Sequence, residues 1–148
     1  MPTLKDLSSV RSLTAAFIDV VWNQQQLDQL DNYLHPDFVD HSLAAGLPPD
    51  RTGLQQWIQA TSRAFHHQTH IEDHVTEGAK SVLRITMELT HIGEWRGIAA
   101  TGRLVRTTGY RLFRVAEGKI IEHWAAIDGT QLESALRALP TPGCTAPQ

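Results

Sequence analysis

An α+β fold, with helices laid over one face of an antiparallel sheet, is the architecture this sequence predicts. Two observations carry the expectation. Apolar residues recur at helical spacing through the first 65 residues, whereas segments 69–77, 81–92, 102–116 and 119–127 are rich in Thr, Val, Ile and aromatics. Helices first and a meander of long strands afterwards is the pattern of helices segregated to one side of a sheet.

Val10, Leu13, Phe17, Val20 and Val21 form one face of a helix over residues 8–23, with Ser8 or Ser9 able to cap it. Leu27, Leu30 and Leu34 share a face of a second, short helix that stops at His35–Pro36, because the residue before proline avoids helical geometry. "DFVDH" then reads as a short extended piece. After the loop "SLAAGLPPD", Asp50 or Thr52 caps a third helix in which Leu54, Trp57, Ile58, Thr61 and Phe65 face one way. Gly78 and "EGK" mark turns between strands, and "DGTQLESALRAL" reads as a last helix with Asp128 at its N-cap, closed by Pro140. One domain over 1–139 and a flexible tail over 140–148 are expected.

Composition bounds the function classes. With 41% hydrophobic and 20% charged residues and no long apolar run, the chain predicts neither disorder nor a membrane span. The N-terminus lacks an apolar signal region, so a cytoplasmic location is expected. The net charge of −3, with arginines scattered and no basic block, argues against nucleic acid as a partner. Cys144 is the single cysteine and has no partner for an internal disulfide. His66, His70 and His74 are spaced by four, but on a strand from Thr69 the last two share a face with Glu72 and stand too far apart to chelate together, so no metal is expected.

The stretches "VWNQQQLDQLDNYLHPDFVDHS", "GLPPDRTGLQQWI", "HIGEWRGIAATGR" and "TGYRLFRVAEGKIIEHW", followed by Asp128, occur in an order and spacing that resembles the SnoaL-like polyketide cyclases, a family of the nuclear transport factor 2-like fold. The match runs over roughly residues 13–139. The resemblance implies a cone-shaped α+β barrel, a strongly curved antiparallel sheet wrapped around the N-terminal helices, with a deep apolar pocket between them. It also implies homodimers or tetramers joined through the sheet. It further implies aldol ring closure by an acid and a histidine, without metal or cofactor. Two positions depart from that pattern: the acid that would follow "HW" corresponds to Ala125, and the catalytic histidine to Arg111.

Strand alternation sets Ile121, His123, Ala125 and Ile127 on the expected pocket face of the last strand, and Glu122, Trp124, Ala126 and Asp128 on the other. On the strand before it, Gly109, Arg111 and Phe113 look inward, and Tyr110, Leu112 and Arg114 outward. Candidate catalytic groups are His123 and His41 for proton transfer and Arg111 for holding a developing oxyanion. Each also fits a plainer role: a hydrogen-bonded core histidine, a loop histidine bonding backbone carbonyls, and a structural partner for Asp40 or Glu88; as a catalyst, His41 could be oriented by Asp40. Apolar walls for a substrate are expected from Phe17, Phe38, Trp57 and Phe65 on the helical side and from Met87, Leu89, His91, Trp95, Phe113 and Ala125 on the strand side.

Taken with these candidate residues, the resemblance implies a cofactor-independent enzyme, a polyketide cyclase-like lyase or isomerase acting on a hydrophobic carbonyl-bearing small molecule. A non-catalytic carrier of a hydrophobic metabolite is the alternative, which Ala125 favours. An epoxide- or ester-opening hydrolase would want a compact Asp-Arg-Asp set, which the sequence does not offer. Dimerisation is expected through the sheet, with Trp124 and Tyr110 facing outward.

Overall fold

The computed structural model describes residues 4–138. Helix α1 (Leu4–Phe17) runs straight into a π-helical turn (Ile18–Asn23), closed by Gln24 N–H donating to the Asp19 carbonyl at 2.9 Å. The wider turn carries Val21 and Trp22 inward together, and both are essentially inaccessible. A 3-10 turn (Leu27–Gln29) and one turn of helix, α2 (Leu30–Tyr33), lead to strand β1 (Leu34–Asp40). Leu34 thus begins the strand instead of ending the helix.

Helix α3 (Arg51–Ala64) is capped by Asp50, whose carboxylate accepts from Gly53 N–H at 3.1 Å. Only glycine fits there, since a Cβ on Gly53 would lie 1.7 Å from the Pro48 carbonyl oxygen. Strands β2 (Phe65–Glu77), β3 (Lys80–His91), β4 (Leu104–Ala116) and β5 (Lys119–Ile127) follow, then helix α4 (Gly129–Arg137). Asp128 caps α4 through Gln131 N–H at 2.8 Å. Between β4 and β5, Glu117 and Gly118 both hold positive φ, the backbone of a tight hairpin turn. Pro140, Cys144 and the tail lie outside the described residues.

The five strands form an open sheet in the order β1-β5-β4-β3-β2. It is mixed, because β1 pairs parallel to β5 while the other three pairings are antiparallel. Helix α1 and the π turn pack on β2, and α3 packs on β2 and β1. The core between helices and sheet is built from Phe17, Ile18, Leu30, Leu54, Ile58, Leu83, Ile85, Phe113 and Ile120, all 2% exposed or less. Each such side chain contributes about 1.5–3 kcal/mol by leaving water.

Two irregularities correct the expected strand faces. The β4–β5 register shifts between Arg114 and Val115, so Ile120, not Ile121, is the buried partner of His123 on the inner face. The β2–β3 register shifts between Ile71 and Asp73, which inserts Glu72 as a bulge residue. His70 therefore points outward to Glu88, while His74 turns inward to Thr14 and Ser81, and the two do not share a face. Phe65 opens β2 instead of closing α3.

Candidate active site

The concave side of the sheet encloses a cavity of about 420 Å³, within the usual range for small-molecule sites. Trp57, Phe65, Met87, Leu89, Trp95 and Ala125 line it. Phe17, Phe38, His91 and Phe113 do not: all four are buried in packing around the cavity. Phe17 packs edge-on against Phe113, and Phe113 lies 4.8 Å from the His123 ring. His91 fastens the loop between β3 and β4, its Nδ1 accepting from Thr101 N–H at 3.2 Å. That loop carries Trp95 to the cavity.

At the floor, three strands bring three polar side chains together. β5 contributes His123, β4 contributes Arg111 and β1 contributes Asp40, none more than 4% exposed. His123 Nδ1 lies 2.8 Å from Asp40 Oδ2, and His123 Nε2 lies 3.4 Å from Arg111 Nη1. Asp40 Oδ1 accepts from Ser42 N–H at 2.9 Å and from Ser42 Oγ at 2.8 Å. Ser42 Oγ in turn accepts from Ala125 N–H at 2.9 Å, which ties the turn after β1 to β5.

The electrostatics favour one set of protonation states. Burial alone would raise the Asp40 carboxyl, but the hydrogen bond and charge of His123 and the two bonds from Ser42 outweigh it and hold Asp40 below its ordinary 3.8. Burial pushes His123 below 6.5, against the opposing pull of Asp40 and with the help of Arg111. Asp40 is therefore ionised and His123 neutral near pH 7, with the proton on Nδ1 facing the carboxylate. The Nε2 lone pair faces Arg111 and the cavity. Arg111 is lowered to about 10 by burial, partly offset by Asp40, and remains a cation. Its guanidinium lies over the Trp22 ring at 4.5 Å, and its Nε–H finds no partner among the described residues.

His41 is not brought to this group. It points to the other side of β5, where its ring stacks on Trp124 at 4.6 Å and its Nε2 meets Glu122 at 2.8 Å. Adjacent residues of an extended segment diverge, so Asp40 faces in and His41 faces out. Sequence reasoning placed Asp40 beside His41 or Arg111 and did not pair it with His123; β1 joining β5 in parallel is what sets Asp40 opposite His123. It also missed Trp22, Ser42, Thr61, Thr107 and Leu132 on the cavity wall. Among the described residues no group of three or more His, Cys, Asp or Glu is arranged to hold a metal ion.

Helices cupped in an α+β sheet, with an apolar cavity and a few polar groups at its floor, define a small-molecule protein of the cone-fold class. The chain belongs to the SnoaL-like polyketide cyclase family, whose model matches residues 12–136. It is 27% identical over 118 residues to the nogalonic acid methyl ester cyclase of Streptomyces nogalater, covering 74% of this chain and 85% of that one. It is 25% identical to the aklanonic acid methyl ester cyclase AcmA of Streptomyces galilaeus over 134 residues, 85% of this chain and 88% of that one. Among solved structures, TsrD from Streptomyces laurentii superposes with a TM-score of 0.78 at 27% identity, over 90% of this chain and 98% of that one. Among the described residues no helix is long and apolar enough to cross a membrane.

Proposed function

We propose that the protein catalyses cofactor-independent acid–base chemistry on a hydrophobic carbonyl compound, most simply an intramolecular aldol cyclisation. His123 Nε2 takes a proton from the carbon beside a carbonyl, and the carbonyl oxygen becomes an enolate oxygen held by the free donors of Arg111. The enolate carbon attacks a second carbonyl of the same molecule, and the new alkoxide recovers the proton from His123. The product is an isomer of the substrate, so no electron donor or acceptor is needed. Asp40 keeps the imidazole in the tautomer with Nε2 free and stabilises the imidazolium while it carries the proton. The cyclase names of the two Streptomyces relatives support the same reaction type.

The observation that carries this reading is the 2.8 Å contact of His123 Nδ1 with Asp40 at the floor of an apolar cavity. It answers the departure at Ala125: a carboxylate reaches the histidine from β1 instead of from the position after "HW". The test is exchange of α-hydrogens for deuterium in a diketone such as a 2-acetyl aromatic ketone, followed by NMR in deuterated buffer. The unaltered protein accelerates exchange and His123→Gln does not. Equal exchange by both would refute the assignment.

A carrier function is the second reading, favoured by Arg111 Nη1 pointing at the same Nε2 lone pair at 3.4 Å. Mass analysis of a ligand recovered from the protein separates the two, since a carrier returns it unaltered. We also infer pairing of two chains through the outer sheet face, where Tyr110 is 54% and Leu104 58% exposed. Trp124 lies on that face beneath His41. Light scattering at the mass of one chain would contradict this.

A further inference from the structure

Three arginines of the sheet are neutralised on its outer face. On the outer sheet face Arg84 pairs with Asp73, Arg106 with Glu88 and Arg114 with Glu122. The two arginines that line the cavity, Arg111 and Arg96, are in no ion pair among the described residues. Among the described residues Asp40 is the single carboxylate on the cavity wall, and both its oxygens are already engaged, by His123 and by Ser42. With His123 neutral, the wall carries two cations against one saturated anion.

Arg96 stands at the rim in a setting built to present it. Its backbone holds φ 49, an uncommon conformation for a residue other than glycine, in the loop pinned by the Trp95–Ile98 bridge. The guanidinium lies over the Trp95 ring at 4.5 Å and reaches the Gly129 carbonyl at only 3.5 Å. A Cβ on residue 129 would sit 2.8 Å from Arg96 Nη2, so the guanidinium tip packs directly against the start of α4. Ala125 faces Arg111 across the β4–β5 pairing, and Gly129 opens α4 just past the end of β5. Arg111 is buried at the floor and Arg96 is exposed at the rim of a cavity whose wall is mostly apolar side chains.

We propose that the ligand of this cavity is a free carboxylic acid, its carboxylate held at the rim by Arg96 and its reacting carbonyl set against Arg111 at the floor. The inference rests on the acid–base reading of the floor. The planar fork of a guanidinium matches two carboxylate oxygens, and Trp95 keeps it oriented over the apolar body of the guest. An ester would lose the charge that Arg96 reads, in contrast to the methyl esters in the names of the two Streptomyces relatives.

The probes are anthraquinone-2-carboxylic acid and its methyl ester, bound to the full chain and followed by quenching of tryptophan fluorescence; Trp22, Trp57 and Trp95 all line the cavity. At pH 7 and low salt the acid binds about tenfold more tightly than the ester. Arg96→Gln brings the two within about twofold of each other, Arg96→Lys retains part of the difference, and added salt shrinks it, because the rim is exposed. An ester that binds as tightly as the acid, or an acid preference unchanged in Arg96→Gln, overturns the proposal. The two readings fail separately: lost acid preference with His123-dependent deuterium exchange intact removes only this one. Kept preference with exchange indifferent to His123→Gln removes only the base assignment.

Discussion

Two arginine–histidine–carboxylate groups stand back to back across the same three strands. On the inner face Arg111, His123 and Asp40 come from β4, β5 and β1; on the outer face Arg114 and Glu122 come from β4 and β5, with His41 just past the end of β1. The residue types are the same, but the surroundings are not. Outside, His41 and Arg114 are each more than a third exposed and both meet Glu122, so water and salt screen the group. Inside, every member is buried, the histidine is held neutral, and one arginine donor is left without a partner. Burial, rather than the residue set, is what separates the inner group from the surface network.

The largest effect expected from breaking the inner group is on turnover. His123→Gln keeps most of the side-chain volume and removes the base, and should lower the rate by about 10²–10⁴-fold in the exchange assay. Arg111→Gln should cost about 10²–10³-fold, as loss of an oxyanion donor does, with a smaller change in affinity. Asp40→Asn should cost less than His123→Gln at neutral pH, because the base survives but loses its orientation. A rate for Asp40→Asn equal to the unaltered protein would mean that the carboxylate is only structural. In the outer group His41→Ala should leave turnover within about twofold and the melting temperature unchanged within error. A large loss there would bring His41 back as a catalytic residue.

The pH dependence sharpens the same contrast. Burial lowers His123, so the base form persists below pH 6.5; activity should hold from 6.5 upward and fall only at more acidic pH. The upper limit is set by Arg111, and activity should decline as pH approaches about 10. Stability has the same sign on the acid side. His67, His74 and His123 all titrate below 6.5 in the folded state, chiefly through burial, so the unfolded chain binds more protons in that window. Stability is full above 6.5 and is lost as pH falls through 6.5 toward the folded-state values. Asp40, held below 3.8, adds a further loss at still lower pH. Thermal melts across pH 4–8 check this, and a melting temperature that rises on acidification would contradict it.

What could be read from the sequence was whatever is fixed locally. Asp50 and Asp128 were legible as caps because a cap acts within three residues, and β3 and β4 because their alternation runs unbroken. The bulge at Glu72 was not, since nothing in "THIEDHV" signals an inserted residue, and it moved His74 to the inner face. The same holds for the shift beside Ile121. The π turn carried Trp22 under Arg111 although the apolar spacing before it was regular. The site itself was half legible. His123 and Arg111 followed from strand parity, but Asp40 reaches His123 only because β1 joins the sheet 83 residues away in sequence. No local pattern encodes that parallel pairing.

The central claim is that His123 is a neutral base whose Nδ1–H is held by Asp40, and it can be tested without knowing the substrate. An NMR titration of the His123 ring in the full chain measures tautomer and midpoint together. The account predicts the Nδ1–H tautomer at pH 7 and a midpoint below 6.5, lost or shifted in Asp40→Asn. A midpoint above 6.5, or a ring protonated on Nε2 at neutral pH, would contradict it.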